Sequence, residues 1–408
     1  MITYKSILVN LFKLFLSTYL FFFISIPTPF GGITLDRIVT LIIFVFIVIK
    51  FKHNYSLFST SIFTLLCYVT FSKLFYSNEL FPKYFMFFIC TITFFNSYRL
   101  GKLNYDFHKY FVISFFIILI ISVYSIFSFI SNGIIPSEFP FLNSIPFLRA
   151  VNYDHMAEVN LSYLFPRLSL PYPTPPQLSI VLALYSFYFL DRFILKKSKF
   201  ILGLLICSII IMFTTVSRSG IIPFVFVSFI YYSIVSKSSF FKKYFKIAIL
   251  ISVVTSFIFL LNEDLFTIIY ERFFSSSLEN FTAGHSSARF LALELFSNGS
   301  IFELLFGHGI GNYPDNHAHM TVLTFLYEIG LIGLFLFLFL FIQRVIICLK
   351  FYKKYPDSSQ KHLYEFMLLI LTFFAMALYE FTYVIPIYIF LGLSVGASYN
   401  ESKSIILK

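Results

Sequence analysis

Long apolar runs, each closed by a short polar stretch, repeat along the whole chain. They fall near 7–26, 33–49, 56–77, 81–98, 110–131, 177–195, 200–216, 219–236, 246–261, 320–343, 363–380 and 381–398. Each comes close to the roughly 17–25 residues that a helix needs to cross a hydrocarbon layer of about 30 Å. The pattern predicts an all-α polytopic membrane protein of about twelve transmembrane helices. The first run is too long, and too soon followed by others, for a cleaved signal, and no small-residue cleavage site follows it. The runs divide the chain into N-terminal spans (1–131), a first long loop (132–176), central spans (177–261), a second long loop (262–319) and C-terminal spans (320–408).

Composition agrees: 59% of the residues are hydrophobic and only 12% charged, against about a quarter charged in soluble domains. The lipid bilayer is therefore the first partner. Lys and Arg gather at 5, 50–52, 99–109, 192–199, 237–246, 344–361 and 403–408, which are the N-terminus, every second connection and the C-terminus. The positive-inside rule then puts both termini in the cytoplasm and both long loops outside. These clusters are short and separated by spans, so the net charge of +11 reflects topology and implies no nucleic-acid partner. Cys67, Cys90, Cys207 and Cys348 lie within or at the ends of spans, so no disulfide framework holds the outer loops. Those loops must order by packing on the membrane part. Segments 134–148 and 278–306 fit short interfacial helices or re-entrant turns.

The outer face has a selective chemistry. Beyond residue 110 it carries Arg149, Arg167, Arg218, Arg272 and Arg289 and no Lys. A planar guanidinium binds phosphate or carboxylate oxygens through two parallel bonds, which an ammonium cannot imitate. The alternative is that these arginines pair with Asp154, Glu158, Asp264 or Glu279 in the same loops. At the end of the second loop, FGHGIGNYPDN (306–316) places Gly307, Gly309 and Gly311 where tight, positive-φ backbone is needed, with Pro314 to stiffen it. Next comes DNHAHMTVLTFLYEIGLIGL (315–334), a polar, histidine-bearing knot leading into the tenth span. Asp315 or Asn316 is placed to cap that helix.

These residues resemble the C-terminal signature of the O-antigen polymerase and O-antigen ligase superfamily. The matching pattern is GxGxxN, a histidine (His319), a glutamate nine residues on (Glu328) and the paired glycines Gly330 and Gly333. TTVSRSG (214–220) is similar to the family's Ser/Thr-Arg turn through Arg218, SSARFLALELF (286–296) to its second-loop arginine through Arg289, and FPRLSLPYPTPPQLSIVLAL (165–184) to its arginine-then-proline entry into a span through Arg167. The resemblance covers about residues 160–335. Where the family carries a polar residue after the histidine this chain has Met320, which tilts the likeness from ligase toward polymerase.

The resemblance implies a glycosyltransferase of the bacterial inner membrane, with its active site facing the periplasm. Its donor and acceptor would be polyprenyl-diphosphate-linked oligosaccharides, with a chain-length regulator as a further partner. The implied chemistry has two tasks. Guanidiniums stabilise the departing diphosphate, each such donor being worth roughly 2.7–4 kcal/mol by analogy with oxyanion-hole deletions; Arg167, Arg218 and Arg289 fit this task. A base near neutral pKa takes the acceptor proton, and His319 fits it. Arg272, Asn316 and His317 are supporting residues. So is Glu328, which sits about 13–14 Å along the helix from His319 and reads as a buried structural acid. His308, Asp315, His317 and His319 form a rival metal-ligand set, but no HExxH, acidic or cysteine spacing supports it; no metal and no cofactor are expected.

Two other functions compete. An O-antigen ligase would use the same donor and transfer the glycan to lipid A-core. A flippase of lipid-linked sugars should carry charges at mid-membrane, whereas the spans hold Asp36, Arg37, Glu328 and little else.

Overall fold

A computed structural model describes residues 10, 24–28, 31–50, 64–65, 67–70, 81–102, 107–132, 149–150, 168, 172, 174–235, 294, 298–310, 320–356, 359–381 and 384–406. Its elements in chain order are β1 (Ile24–Thr28), β2 (Gly31–Thr34), α1 (Leu35–Lys50), α2 (Phe81–Gly101), α3 (His108–Asn132), β3 (Arg149–Ala150), α4 (Pro175–Lys196), α5 (Lys199–Thr214), α6 (Arg218–Val235), α7 (Ile301–Phe306), α8 (Thr321–Lys354), α9 (Gln360–Leu378) and α10 (Ile385–Ile406). The protein is a helical, multi-pass membrane protein. Among the described residues, α3, α4, α6, α8 and α9 are long and apolar enough to cross a bilayer, and α5 is a shorter apolar helix.

The helical class holds, with one small addition. An antiparallel sheet of order β2-β1-β3 stands where the first apolar run ends, with Ile26 opposite Ile33 and Ser25 opposite Arg149. Hydropathy registers the apolar content of ISIPT and GGIT; their β-branched residues and the glycine-proline turn chemistry favour extended pairing over helix. Most of the runs 7–26, 56–77 and 246–261, and most of both long loops, lie outside the described residues.

The chain forms two compact units, residues 1–43 with 106–276 and residues 44–105 with 277–408. In the first, α4 is the core. Thr174 caps it, its hydroxyl accepting from the Gln177 amide, and Pro175 sits in the first turn, where no amide partner is needed. It stops at Lys197, a left-handed residue (φ 49°) whose N–H donates to the Phe193 carbonyl. Leu178 through Phe189 are all buried, against α5, α6 and an aromatic cluster with Phe111 and Phe115 of α3. Hydroxyl pairs tie α4 to its neighbours: Ser114 with Tyr185 at 2.6 Å, Ser186 with Ser208 at 2.8 Å, and Tyr231 donating to Asp191. Such bonds replace the hydrophobic drive that is weak between helices in lipid.

In the second unit α2 crosses α10 at close range. A Cβ on Gly101 would strike the Leu393 carbonyl, one on Gly392 the Phe94 carbonyl and one on Gly396 the Tyr98 carbonyl. The sequence GLSVG (392–396) is thus a small-xxx-small contact of the kind membrane helices use. Arg344 of α8 is bidentate to Glu365 of α9, with Nε–Oε1 at 2.8 Å and Nη2–Oε2 at 2.9 Å, and Ser398 of α10 donates to the same carboxylate. Glu401 of α10 accepts from the first-turn amides of Lys361 and His362 and lies 2.6 Å from His362 Nδ1, which meets orphan donors of α9. The expectation of nearly charge-free spans is therefore corrected. Asp191 and Glu365 also lie inside apolar helices, and both are buried. They are tolerated because each has a hydrogen-bonded partner.

Candidate functional site

The turn FGHG (306–309) and the stretch YEIG (327–330) meet in the second unit. Ser300 and Glu303 form a capping box at the start of α7, with the Ser300 amide and hydroxyl donating to Glu303 Oε2 at 2.7 and 2.8 Å. Those bonds, the backbone one first, hold the Glu303 carboxyl below its usual pKa. The short helix ends at Gly307 (φ 76°), and Gly309 (φ 85°) completes a turn that only glycine makes without strain.

That turn lies on a break in α8. Gly330 has φ 65° and ψ −174°, which is not helical, so the preceding carbonyls lose regular helical partners. Three donors from elsewhere replace them. The His308 amide reaches the Tyr327 carbonyl at 3.0 Å and the Gly309 amide the Glu328 carbonyl at 2.8 Å. The Tyr68 hydroxyl donates to the Ile329 carbonyl at 2.9 Å. In lipid an unanswered carbonyl costs several kcal/mol, so the break exists because these three groups meet it. The fit is backbone on backbone: a Cβ at Gly307 would collide with the Glu328 carbonyl and the Gly330 amide, and one at Gly330 with Leu305 and Gly307. The His308 ring stacks on Tyr327 with centroids 4.1 Å apart and planes at 3°. Its Nδ1 lies 3.2 Å from the Tyr327 carbonyl and its Nε2 3.7 Å from Glu303 Oε1.

The mouth of α8 is held separately. Thr321 is buried, donates to the Tyr379 carbonyl at 3.1 Å and accepts from the Phe381 amide at 2.9 Å. The N-cap of α8 is Met320, with no side-chain cap bond. Asp315 and Asn316, read from the sequence as its cap, lie outside the described residues.

Of the catalytic, diphosphate-binding and supporting residues expected from the sequence, Arg218 and Glu328 are among the described residues. Arg218 opens α6, half-buried, directly after Val216 and Ser217. Val216 has φ 47° and is buried; a β-branched residue in the left-handed region is strained. The preceding strand of chain is fixed, with the Leu168 amide donating to the Thr214 carbonyl at 3.3 Å. Glu328 is buried (1% exposed), next to the break. His319, His317, Asn316, Arg167, Arg272 and Arg289 lie outside the described residues. Among the described residues, no group of three His, Cys, Asp or Glu side chains could hold a metal ion.

Tyr68 and Tyr327 were not legible as site residues. Tyr327 adjoins the glutamate of the motif and could have been suspected from that. Tyr68 lies in an apolar run 259 residues earlier, where nothing local marks it. A separate apolar cavity of about 90 Å³ in the same unit, lined by Phe87, Phe94, Phe337, Phe341 and Tyr388 among others, shares no residue with this junction. No family model and no curated protein matches the chain.

Proposed function

We propose that the protein is a polysaccharide polymerase of the bacterial inner membrane, a glycosyltransferase acting at the periplasmic face on polyprenyl-diphosphate-linked glycan. The observation that carries this reading is the junction itself. Two parts of the pattern through which the chain resembles the O-antigen polymerases and ligases, the first glycine of GIGNYPDN and Glu328 beside the paired glycines, are joined by the bond from the Gly309 amide to the Glu328 carbonyl, as parts of one site would be. A helix broken inside a membrane unit, at a glycine whose neighbours are met by distant donors, is where the local rules of helix formation yield to function.

In the reaction, an acceptor hydroxyl oxygen attacks the anomeric carbon of the donor glycan. The bond from that carbon to the diphosphate oxygen breaks, and the diphosphate leaves with the electron pair. His319 takes the hydroxyl proton. Arg167, Arg218 and Arg289 balance the charge gathering on the leaving group, with both termini cytoplasmic and the two long loops outside.

Purified protein in lipid nanodiscs, given a polyprenyl-diphosphate-linked repeat unit, is expected to form polymer in EDTA as well as in its absence. His319→Ala should lose at least about 10²-fold in kcat, and His317→Ala far less. Full turnover by His319→Ala removes it as the base. Loss of activity in EDTA, restored by a divalent ion, makes the reaction metal-assisted. A deletion strain separates the rival transfers: core plus one repeat on a lipopolysaccharide gel marks a lost polymerase, and core alone with accumulated lipid-linked polymer marks a lost ligase.

A further inference from the structure

We propose that the apolar slot between α2, α8 and α10 holds one acyl chain of an anionic phospholipid whose phosphate is bound at Lys102. The slot shares no residue with the α8 break, and the proposal does not depend on the transferase reading.

What lines the slot selects a hydrocarbon chain. Its volume is about 90 Å³ and its walls are apolar. Thr91 in its wall donates to the Phe87 carbonyl at 2.9 Å, and Arg344 at its edge is bidentate to Glu365, so neither is left to bind a polar head there. Water does not settle between such walls, and an empty void forfeits their contacts. A cavity of about 150 Å³ admits benzene. This one is smaller and drawn out over about 10 Å from Phe87 to Phe94, which suits a slim, unbranched chain better than a methyl-branched isoprenoid.

Both ends of the slot are closed. Edge-to-face contacts of Phe325 with Phe87 and with Phe337 shut one. At the other, buried Tyr98 packs with Phe94, Leu340 and Val395. Between the ends Thr91 and Phe94 of α2 and Leu340 and Phe341 of α8 are partly exposed, so the chain enters sideways between these helices.

Beyond the Tyr98 end lies a cation. The Lys102 ammonium is 4.3 Å from the Tyr98 ring centre and 3.8 Å from that of Tyr399. Asn400 of α10 donates to the Gly101 and Lys102 carbonyls and fixes the backbone there. Arg99, one turn back, lies over the Phe95 ring at 5.3 Å. Burial first, and the Arg99 and Arg344 charges after it, hold the Lys102 ammonium below its usual pKa against the pull of Tyr399. A cation so placed gains from an anion. Phe87 and Lys102 are about 22 Å apart along α2, which matches one leaflet with its head groups, half of a bilayer of roughly 40–45 Å. Slot and cation are thus spaced as the tail and phosphate of one lipid, and basic pockets between membrane helices favour anionic head groups.

The test reconstitutes the full chain in vesicles of equal parts phosphatidylglycerol and phosphatidylcholine with the same acyl chains. Lipid that stays bound after gentle extraction is counted by native mass spectrometry. Retained phosphatidylglycerol should exceed phosphatidylcholine by at least about fivefold. Lys102→Gln should abolish that preference, while Lys350→Gln, at an exposed lysine of α8, should keep it. Leu340→Phe, which fills the slot, should lower retention of both lipids by at least about fivefold. Thr91→Leu fills it from α2 and serves if the first variant does not fold.

Equal retention of the two lipids, or equal loss of preference in Lys102→Gln and Lys350→Gln, overturns the phosphate site. Undiminished retention in a folded slot-filling variant overturns the chain site. Polyprenyl phosphate that displaces phosphatidylglycerol from the wild type at equal concentration gives the slot to an isoprenoid and overturns the proposal as well.

Discussion

Helices α4 and α8 are both apolar and both of membrane-spanning length, yet they are built on opposite principles. Of the most apolar stretch of α4, 72% is buried inside the protein, against 22% for α8. The first is capped at both ends and closes its own backbone ladder between Thr174 and Lys197. The second begins at an uncapped Met320 and breaks at Gly330, handing three carbonyls to groups from elsewhere in the chain. Burial against other helices, end caps and hydroxyl bonds together hold α4. The break in α8 stabilises nothing by itself, so the difference teaches that the N-terminal part of α8 is shaped around the 307–309 turn.

The largest effect expected from breaking this contrast is at Gly330. Gly330→Ala places a Cβ against the backbone of Leu305 and Gly307 at a positive φ, and should leave little folded protein in the membrane fraction. Gly203→Ala in α5, where a Cβ meets nothing within 4 Å, should be neutral or stabilise by about 0.5–1 kcal/mol. Equal yields of the two variants would show that the break is not needed.

Next in size is the buried pair lower in α8. Glu365→Ala leaves the Arg344 guanidinium without its bidentate partner and should cost about 3–5 kcal/mol in a detergent unfolding titration. Replacing both, Arg344→Met with Glu365→Leu, should recover most of that loss. A smaller effect tests α4: Thr174→Ala removes its cap and should cost about 1 kcal/mol in the same titration. A cost as large as that of Glu365→Ala would mean that the core helix depends on its end, against the contrast drawn here.

The smallest effect is a pH dependence at α7, which carries the turn. The Glu303 carboxyl sits below its usual value of 4.5 in the folded protein. A depressed acid contributes stability that is fully present above the unfolded pKa and lost as pH falls through the folded one. Amide protection across 301–306 should therefore be constant from pH 7 to about 5 and decline at lower pH, while Glu303→Gln should show a flat, lower profile. Protection that rises on acidification would reverse the sign and remove the capping box as its source.

Much of this was legible in advance at particular residues. The runs 177–195, 200–216, 219–236 and 363–380 lie close to α4, α5, α6 and α9, and the positive φ at Gly307 and Gly309 followed from their spacing. Less legible were the strands at 24–28 and 31–34, since hydropathy does not distinguish a buried strand from a helix. The span charges Asp191 and Glu365 went unremarked, although both are plain in the sequence. The GLSVG contact with α2 was likewise present as a pattern, but nothing local says which helix answers it.

The amino-acid sequence by itself determined the membrane class, the main helices and the chemistry of the glycine motifs. Each depends on neighbours in the chain: apolar content per turn, a cap residue, a missing Cβ. Tertiary structure alone decided that Gly330 interrupts α8, that the 307–309 turn fills the gap and that Tyr68 meets the last free carbonyl. Those are complementary groups up to 261 residues apart. A glycine inside an apolar run is compatible with helix until a donor from another segment makes the open carbonyl affordable, and a local pattern carries no record of that donor.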